Sequence, residues 1–302
     1  MASKKIVNEI SGTIFSLPWL VARDEGLFQQ AGLDIEFVKA RPLEGYEFVA
    51  DHRDVPSIGP HRPFEEGQAA VYRACEWGQV RRAHDSERGG RIIGKRSAIG
   101  VQAILSAPGS QFTHPQTLRN QVIGVGYHTG THYATLQMLE GYLARDEIKV
   151  VNVSPREGYE AVRDGRLAAV TLMDPWLSLA EKNGFQKVIE AHYTGSEIAS
   201  PEVDAQTWQE ITVVLKEAVK RINADKRKYL HYLIDALPDD YRQQLTPDDF
   251  HLPRLRYIDP TPYDRAEFQS TYDWLVGWDL IPPNLGFEQL VDNRTVRTAV
   301  AA

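Results

Sequence analysis

The chain has 302 residues, 42% of them hydrophobic and 25% charged, with a net charge of −7. That length accommodates two domains with their own cores, and the acidic balance excludes a general nucleic-acid binder. One cysteine, Cys75, excludes an internal disulfide and a cysteine-rich zinc site.

Lys5–Ile10 reads as a strand, followed by the small polar run Ser11-Gly12-Thr13. A helix comes next, with Pro18 admitted in its first turn and Leu20, Val21, Leu27 and Phe28 at helical spacing behind Trp19. Gly26 and Gly32 are stop signals, after which Leu33, Ile35 and Phe37 alternate as a strand. The opening is therefore a βαβ unit.

Val38–Arg53 reads as a connection with a short helix near Glu44–Val49, and Val55–Gly59 as a short strand containing Ser57 and Gly59. It runs into Pro60-His61-Arg62-Pro63. Phe64–Val80 suits a helix on which Cys75 is a buried, inert thiol. The run from Arg81 to Gly90 is charged and loop-like, and the Arg81–Arg96 cluster reads as a solvated loop, with the rim of an anion cleft as the alternative. Strands follow at Arg91–Gly94, Val101–Leu105, Val122–Gly126, Ile148–Val153, Ala168–Leu172 and Gln186–Ile189. Helices alternate with the later strands, at about Thr131–Leu143, Arg156–Val162 and from Asp174-Pro175-Trp176 onward, with Asp174 as the cap. This alternation predicts a parallel sheet with helices on its faces. Beyond His192 the chain turns helical, at Ala205–Asn223, Lys226–Ala236 and Asp264–Val276.

Ligands of parallel sheets bind at the carboxyl ends of strands. The loops there offer Ser11, Gly12 and Thr13; Ser57, Gly59, His61 and Arg62; Tyr127, His128, Thr129, Gly130, Thr131 and His132; and Asp174 and Trp176, with Trp19 at the front of its helix. The helix N-terminus at Thr131 suits an anion, although Thr129 acting as a simple cap explains the pattern equally well. Arg62 is suited to a planar anion and His61 to proton transfer. His128 and His132 are four apart, but no Glu follows His128, so no metal is expected. Gly124, Gly126 and Gly130 miss the dinucleotide fingerprint by one residue, and no cofactor is expected.

The segment behind Lys4-Lys5 is not apolar enough for a signal peptide, and no stretch suits membrane insertion. As written the chain reads as cytoplasmic; removal of a leader would make it periplasmic.

Pro18–Phe37 resembles the opening of the nitrate/sulfonate/taurine and thiamine-precursor solute-binding family, with its E-G-F/L-F turn and A-G-L-D-I/V strand. Leu118–Val125 is similar to that family's L-x-G-K-x-I-G-V, with Asn120 in place of glycine. Ala161–Ala169 resembles its A-L-x-x-G-x-V-D-A, with Ala168 where Asp is usual, and Asp174-Pro175 stands at its Glu/Asp-Pro. The resemblance covers roughly residues 5–195.

It implies a two-domain α/β fold of the type II periplasmic-binding-protein kind, with mixed, mostly parallel sheets, a hinge and a helical C-terminal region. Domain I would comprise 1–102 and 193–302, domain II 103–192, with crossings near Val101–Leu105 and Ile189–Thr194. A small organic anion (a sulfonate or carboxylate) would bind between the domains, and a transporter permease would be the partner. Cytosolic enzymes use the same scaffold, and whether this chain is one stays open. Laid on a sulfinate desulfinase, the nucleophilic cysteine falls near Thr13, the histidine on His61 and the arginine near Val71, beside Arg73. In that second reading His61 is the acid/base, with Thr13, Tyr127 or His128 assisting.

Overall fold

A computed structural model describes residues 5–294 of the chain. Residues 1–4, part of the segment read above for a leader, and residues 295–302 lie outside it. No helix among the described residues is long and apolar enough to cross a membrane.

Eleven strands form two mixed sheets among the described residues. The first contains β1 (Lys5–Ile10), β2 (Asp34–Lys39), β3 (Val71–Cys75) and β4 (Arg91–Lys95). The second contains β5 (Ala98–Ser106), β6 (Val122–Val125), β7 (Lys149–Asn152), β8 (Ala169–Leu172) and β9 (Gln186–Tyr193). β10 (Gly195–Ala199) returns to the first sheet and β11 (Arg256–Tyr257) joins the second. The orders are β2-β1-β3-β10-β4 and β11-β5-β8-β6-β7, with β9 on β5. Parallel ladders join β2-β1-β3 and β7-β6-β8; β5, β9, β10 and β11 pair antiparallel.

The opening βαβ unit is present: β1 pairs with β2 from Lys5↔Asp34 to Ile10↔Lys39. Its helix starts at Thr13, so Pro18 lies in the interior rather than the first turn. That helix buries Ile14 to Ala22 and packs Trp19 on Trp208 of the Ala205–Ala224 helix, ring centroids 6.2 Å apart.

Several local expectations change. The helix expected over Phe64–Val80 is instead the short helix Arg62–Glu65, strand β3 and the start of a helix at Glu76. All five residues of β3 are buried, so the strand shows no alternation and hides among small helix formers. Cys75 caps the Glu76–Asp85 helix, which absorbs Arg81, Arg82 and His84 from the expected loop. Glu44–Val49 is not helical, and Val55–Gly59 forms turns after a 3₁₀ turn at His52–Asp54. The expected strand at Gln186 runs on to Tyr193 and pairs antiparallel with β5 from Gly100↔Tyr193 to Ser106↔Gln186, outside the parallel ladders. Gly100 is required there, since a Cβ would lie 2.4 Å from the Tyr193 ring. Asp174 stands one residue ahead of the cap position but binds the first turn, its Oδ1 accepting from Ser178 N (3.0 Å) and Oγ (2.6 Å).

The first sheet encloses a buried ion pair. Arg73 Nε donates to Glu197 at 3.0 and 3.1 Å, its guanidinium lies 4.6 Å from the Trp19 ring centroid, and Trp19 Nε1 donates to Glu197 at 3.3 Å. Burial pushes the Glu197 carboxyl up, and Arg73 opposes that shift. Glu197→Ala strands a fully buried guanidinium. It is expected to cost about 3–5 kcal/mol in urea unfolding, and a loss below about 1 kcal/mol would refute the pair's role.

Candidate binding site between the sheets

A cavity of about 300 Å³ lies where the carboxyl ends of β1, β3, β6, β7 and β8 converge. Ser11, Gly12 and Phe15 follow β1; Arg73, Ala74 and Cys75 end β3; Gly126, Thr129, Gly130 and Thr131 follow β6. Ser154 and Pro155 follow β7, and Met173 follows β8. Ala40, Pro42, Pro60 and His61 close one side, from the two ends of the long β2–β3 connection. The middle of that connection straps onto the second sheet. Phe48 N donates to Asn152 O (2.7 Å), Asn152 N to Val49 O (2.9 Å), and Tyr127 Oη to Ala50 O (2.7 Å).

Most of the wall is apolar, including Phe15, Val125, Val153, Val170, Leu172 and Met173. Two arginines interrupt it. Arg73 is engaged by Glu197, Glu9 O, Ser16 and Asn8. Arg82, only 1% exposed, makes all its hydrogen bonds among the described residues to neutral oxygens. Nε donates to Ile58 O (3.3 Å), Nη1 to Gln79 Oε1 (3.4 Å) and Nη2 to His128 O (2.5 Å). It also lines a smaller cavity with Ser57, Glu65, Asp85 and Glu87. A buried cation bonded only to neutral groups is costly on its own and favours an anion beside it.

The helix Gly130–Glu140 presents its first residues to the same cavity. Gly130 and Thr131 N–H groups have no intrahelical partner. The threonine hydroxyls do not cap the helix; Thr129 Oγ1 donates to Gly126 O (2.7 Å), and Thr131 Oγ1 accepts from Gly126 N (2.8 Å). Gly130 is closely packed: a Cβ there would lie 2.5 Å from Tyr193 Oη and 2.8 Å from Gln102 Nε2, so these side chains would have to shift. Gly130→Ala is expected to displace the helix start, destabilise by about 1–3 kcal/mol and weaken ligand binding; unchanged thermal stability would contradict the close packing.

His61 is 2% exposed. Its Nδ1 lies 2.5 Å from Glu9 Oε1 and its ring stacks on Tyr72 at 4.4 Å. Burial lowers its pKa despite Glu9. Cys75 lines the cavity with its thiol held up by burial, and Sγ accepts from Gly78 N at 3.3 Å.

Of the residues expected at a ligand, Ser11, Gly12, His61, Thr129, Gly130 and Thr131 come together on this wall. Thr13 opens its helix outside the lining, and Trp19 is buried on Glu197. Ser57 donates to Asp85 (2.6 Å), Gly59 is a turn residue at φ +57°, and Arg62 is exposed to solvent. His128 Nε2 donates to His52 O (2.8 Å) and Val55 O (2.9 Å), fastening the strap. His132 packs between Tyr127 (4.9 Å) and Tyr133 (5.1 Å). Asp174 faces Ser178 and Arg254, and Trp176 packs on Tyr159 and Tyr241. Among the described residues no group of three or more His, Cys, Asp or Glu is placed to hold a metal ion. Phe15, Arg73, Arg82 and Gln102 line the cavity without having been expected there, and Glu9 stands behind His61, equally unexpected; the anion-rim alternative for the Arg81–Arg96 cluster was the one signal that pointed at Arg82.

No protein-family model and no curated protein matches the chain. Solved structures do. The chain is similar to the periplasmic aliphatic sulphonate binding protein SsuA from Escherichia coli, with a TM-score of 0.71, 14% identity, and coverage of 97% of this chain and 92% of that one. A Candida albicans gene product exhibiting the generic periplasmic binding protein fold matches at TM-score 0.70 and 12% identity, covering 98% of each chain. A DszB mutant in complex with biphenyl-2-sulfinic acid matches at TM-score 0.65 and 13% identity, covering 96% of each. The chain has the generic periplasmic-binding-protein fold.

Proposed function

We propose that the chain binds a small organic anion with an apolar body, a sulfonate or carboxylate, in the cavity between its sheets. The observation that carries this reading is Arg82, buried in an apolar wall and bonded, among the described residues, only to neutral oxygens. The N-terminus of the Gly130–Glu140 helix adds unpaired N–H groups and a partial positive charge. The SsuA likeness supports a sulfonate and the role of an ABC-importer component, with a permease as partner and the periplasm as location.

The two lobes would comprise 1–102 with 193–302, and 103–192, hinged where β5 and β9 pair. Closure of one lobe on the other would bury the anion.

An enzyme on this scaffold needs a nucleophile at the cavity or a proton to move. Thr13 is absent from the wall, and burial keeps the Cys75 thiol protonated, which favours binding over catalysis.

The test is a thermal-shift series with propane-1-sulfonate, benzenesulfonate and benzoate against propan-1-ol and benzyl alcohol. A ligand at about 100 times its Kd adds about 2.7 kcal/mol to stability. The anions are expected to raise Tm and the alcohols to leave it unchanged. Equal shifts from both sets would overturn the reading.

A further inference from the structure

Beside Arg82 the cavity wall contains a hydrogen-bond acceptor whose proton state is set by the protein. His61 Nδ1 and Glu9 Oε1 are 2.5 Å apart, with side-chain exposures of 3% and 0%. A carboxylate oxygen only accepts, so the imidazole proton sits on Nδ1 and Nε2 keeps its lone pair. Nε2 makes no hydrogen bond among the described residues, while His61 lines the cavity. Stacking on Tyr72 at 4.4 Å holds the ring plane. Burial, together with Arg82 and Arg73, works against a second proton on the ring, so His61 stays a neutral acceptor at pH 7.

Arg82 Nε is bonded to Ile58 O, three residues before His61, and its charge acts on the His61 ring. Both residues line the same cavity, so one ligand there is offered both. The group that meets Nε2 has to be a donor. Two nearby guanidiniums disfavour an ammonium there, which leaves a neutral O–H or N–H, and a hydroxyl is the simplest such donor on a small organic anion.

We propose that the anion beside Arg82 carries a hydroxyl group that donates to His61 Nε2, so that the site takes hydroxylated organic anions in preference to their deoxy counterparts. This deepens the anion-binding reading and rests on it. A deoxy ligand would shut the acceptor away from water without a partner, which is the larger part of the discrimination.

Calorimetric titration at pH 7.5 of two matched pairs tests it: 3-hydroxypropane-1-sulfonate against propane-1-sulfonate, and 4-hydroxybenzoate against benzoate. In each pair that binds, the hydroxylated member is expected to bind about tenfold more tightly to the wild-type protein. In His61→Phe, or in His61→Met should the first not fold, the preference within each pair falls below about twofold. Equal affinities within the pairs for the wild-type protein overturn the hydroxyl inference and leave the anion reading standing, and this comparison needs no variant. A preference that survives at position 61 also overturns it. Absence of binding by all four anions overturns both.

Discussion

Arg82→Met is expected to weaken binding of propane-1-sulfonate about a hundredfold, equal to about 2.7 kcal/mol. The substitution keeps an apolar stem of similar length and removes a cationic group on the wall that, among the described residues, is bonded only to neutral oxygens. It also releases Ile58 O, Gln79 and His128 O, so stability should fall by about 1–3 kcal/mol. Arg82→Lys separates charge from geometry. An ammonium keeps the attraction but cannot reproduce the planar fork, so a loss of about tenfold is expected. Affinity of the methionine variant within about threefold of wild type would remove Arg82 from the site.

The second large effect is acid lability. His128 is buried between the strap and the Gly130–Glu140 helix, and burial, followed by Arg81 and His52, holds its pKa at about 3. Burial holds His132 well below its ordinary value, with His128, His52 and Arg81 adding to it, and burial lowers His52 too. Of the charges that act on His52, Asp51 favours its protonation whereas Arg81 and Arg53 oppose it. The unfolded chain takes up a proton on His128 near pH 6.5, whereas the folded chain does not until about pH 3. Stability from this residue is therefore complete above pH 6.5 and is lost as pH falls, by about 1.4 kcal/mol per pH unit. Since His128 Nε2 fastens the strap at His52 O and Val55 O, loosening should begin there.

Urea unfolding of wild type and His128→Asn between pH 7 and pH 4 measures the effect. Asn tolerates the left-handed backbone at this position, φ +58°, and does not titrate. The variant is expected to show the shallower pH dependence, the carboxylate contribution cancelling between the two proteins. Identical slopes would show that His128 is not the group responsible.

The architecture was legible where periodicity and turn chemistry agree. The Gly26 and Gly32 stops, the Val122–Val125 strand, its following helix and the Ala205–Ala224 helix all stand within a few residues of their expected places. β3 was not legible, because a strand buried on both faces carries no period-two signal and Val71-Tyr72-Arg73-Ala74-Cys75 sits between good helix formers. The pairing of β9 with β5 was hidden as well, since antiparallel placement depends on a partner 80 or more residues away. Cavity-lining residues on strand ends and tight loops, such as Ser11, His61 and Gly130, were reachable from sequence. Arg82 was reachable only as one member of a charged run, because its burial depends on Ile58, Gln79 and His128 closing around it. Arg62, the more conspicuous choice beside His61, turns out to solvent because it begins a short surface helix.

The most direct measurement is the crystal structure of the chain grown with 4-bromobenzenesulfonate, the bromine located by its anomalous signal. The sulfonate oxygens are expected about 2.7–2.9 Å from Arg82 nitrogens and the ring against Phe15, Leu172 and Met173. A sulfonate bound away from Arg82, or a bromine outside this cavity, would contradict this placement.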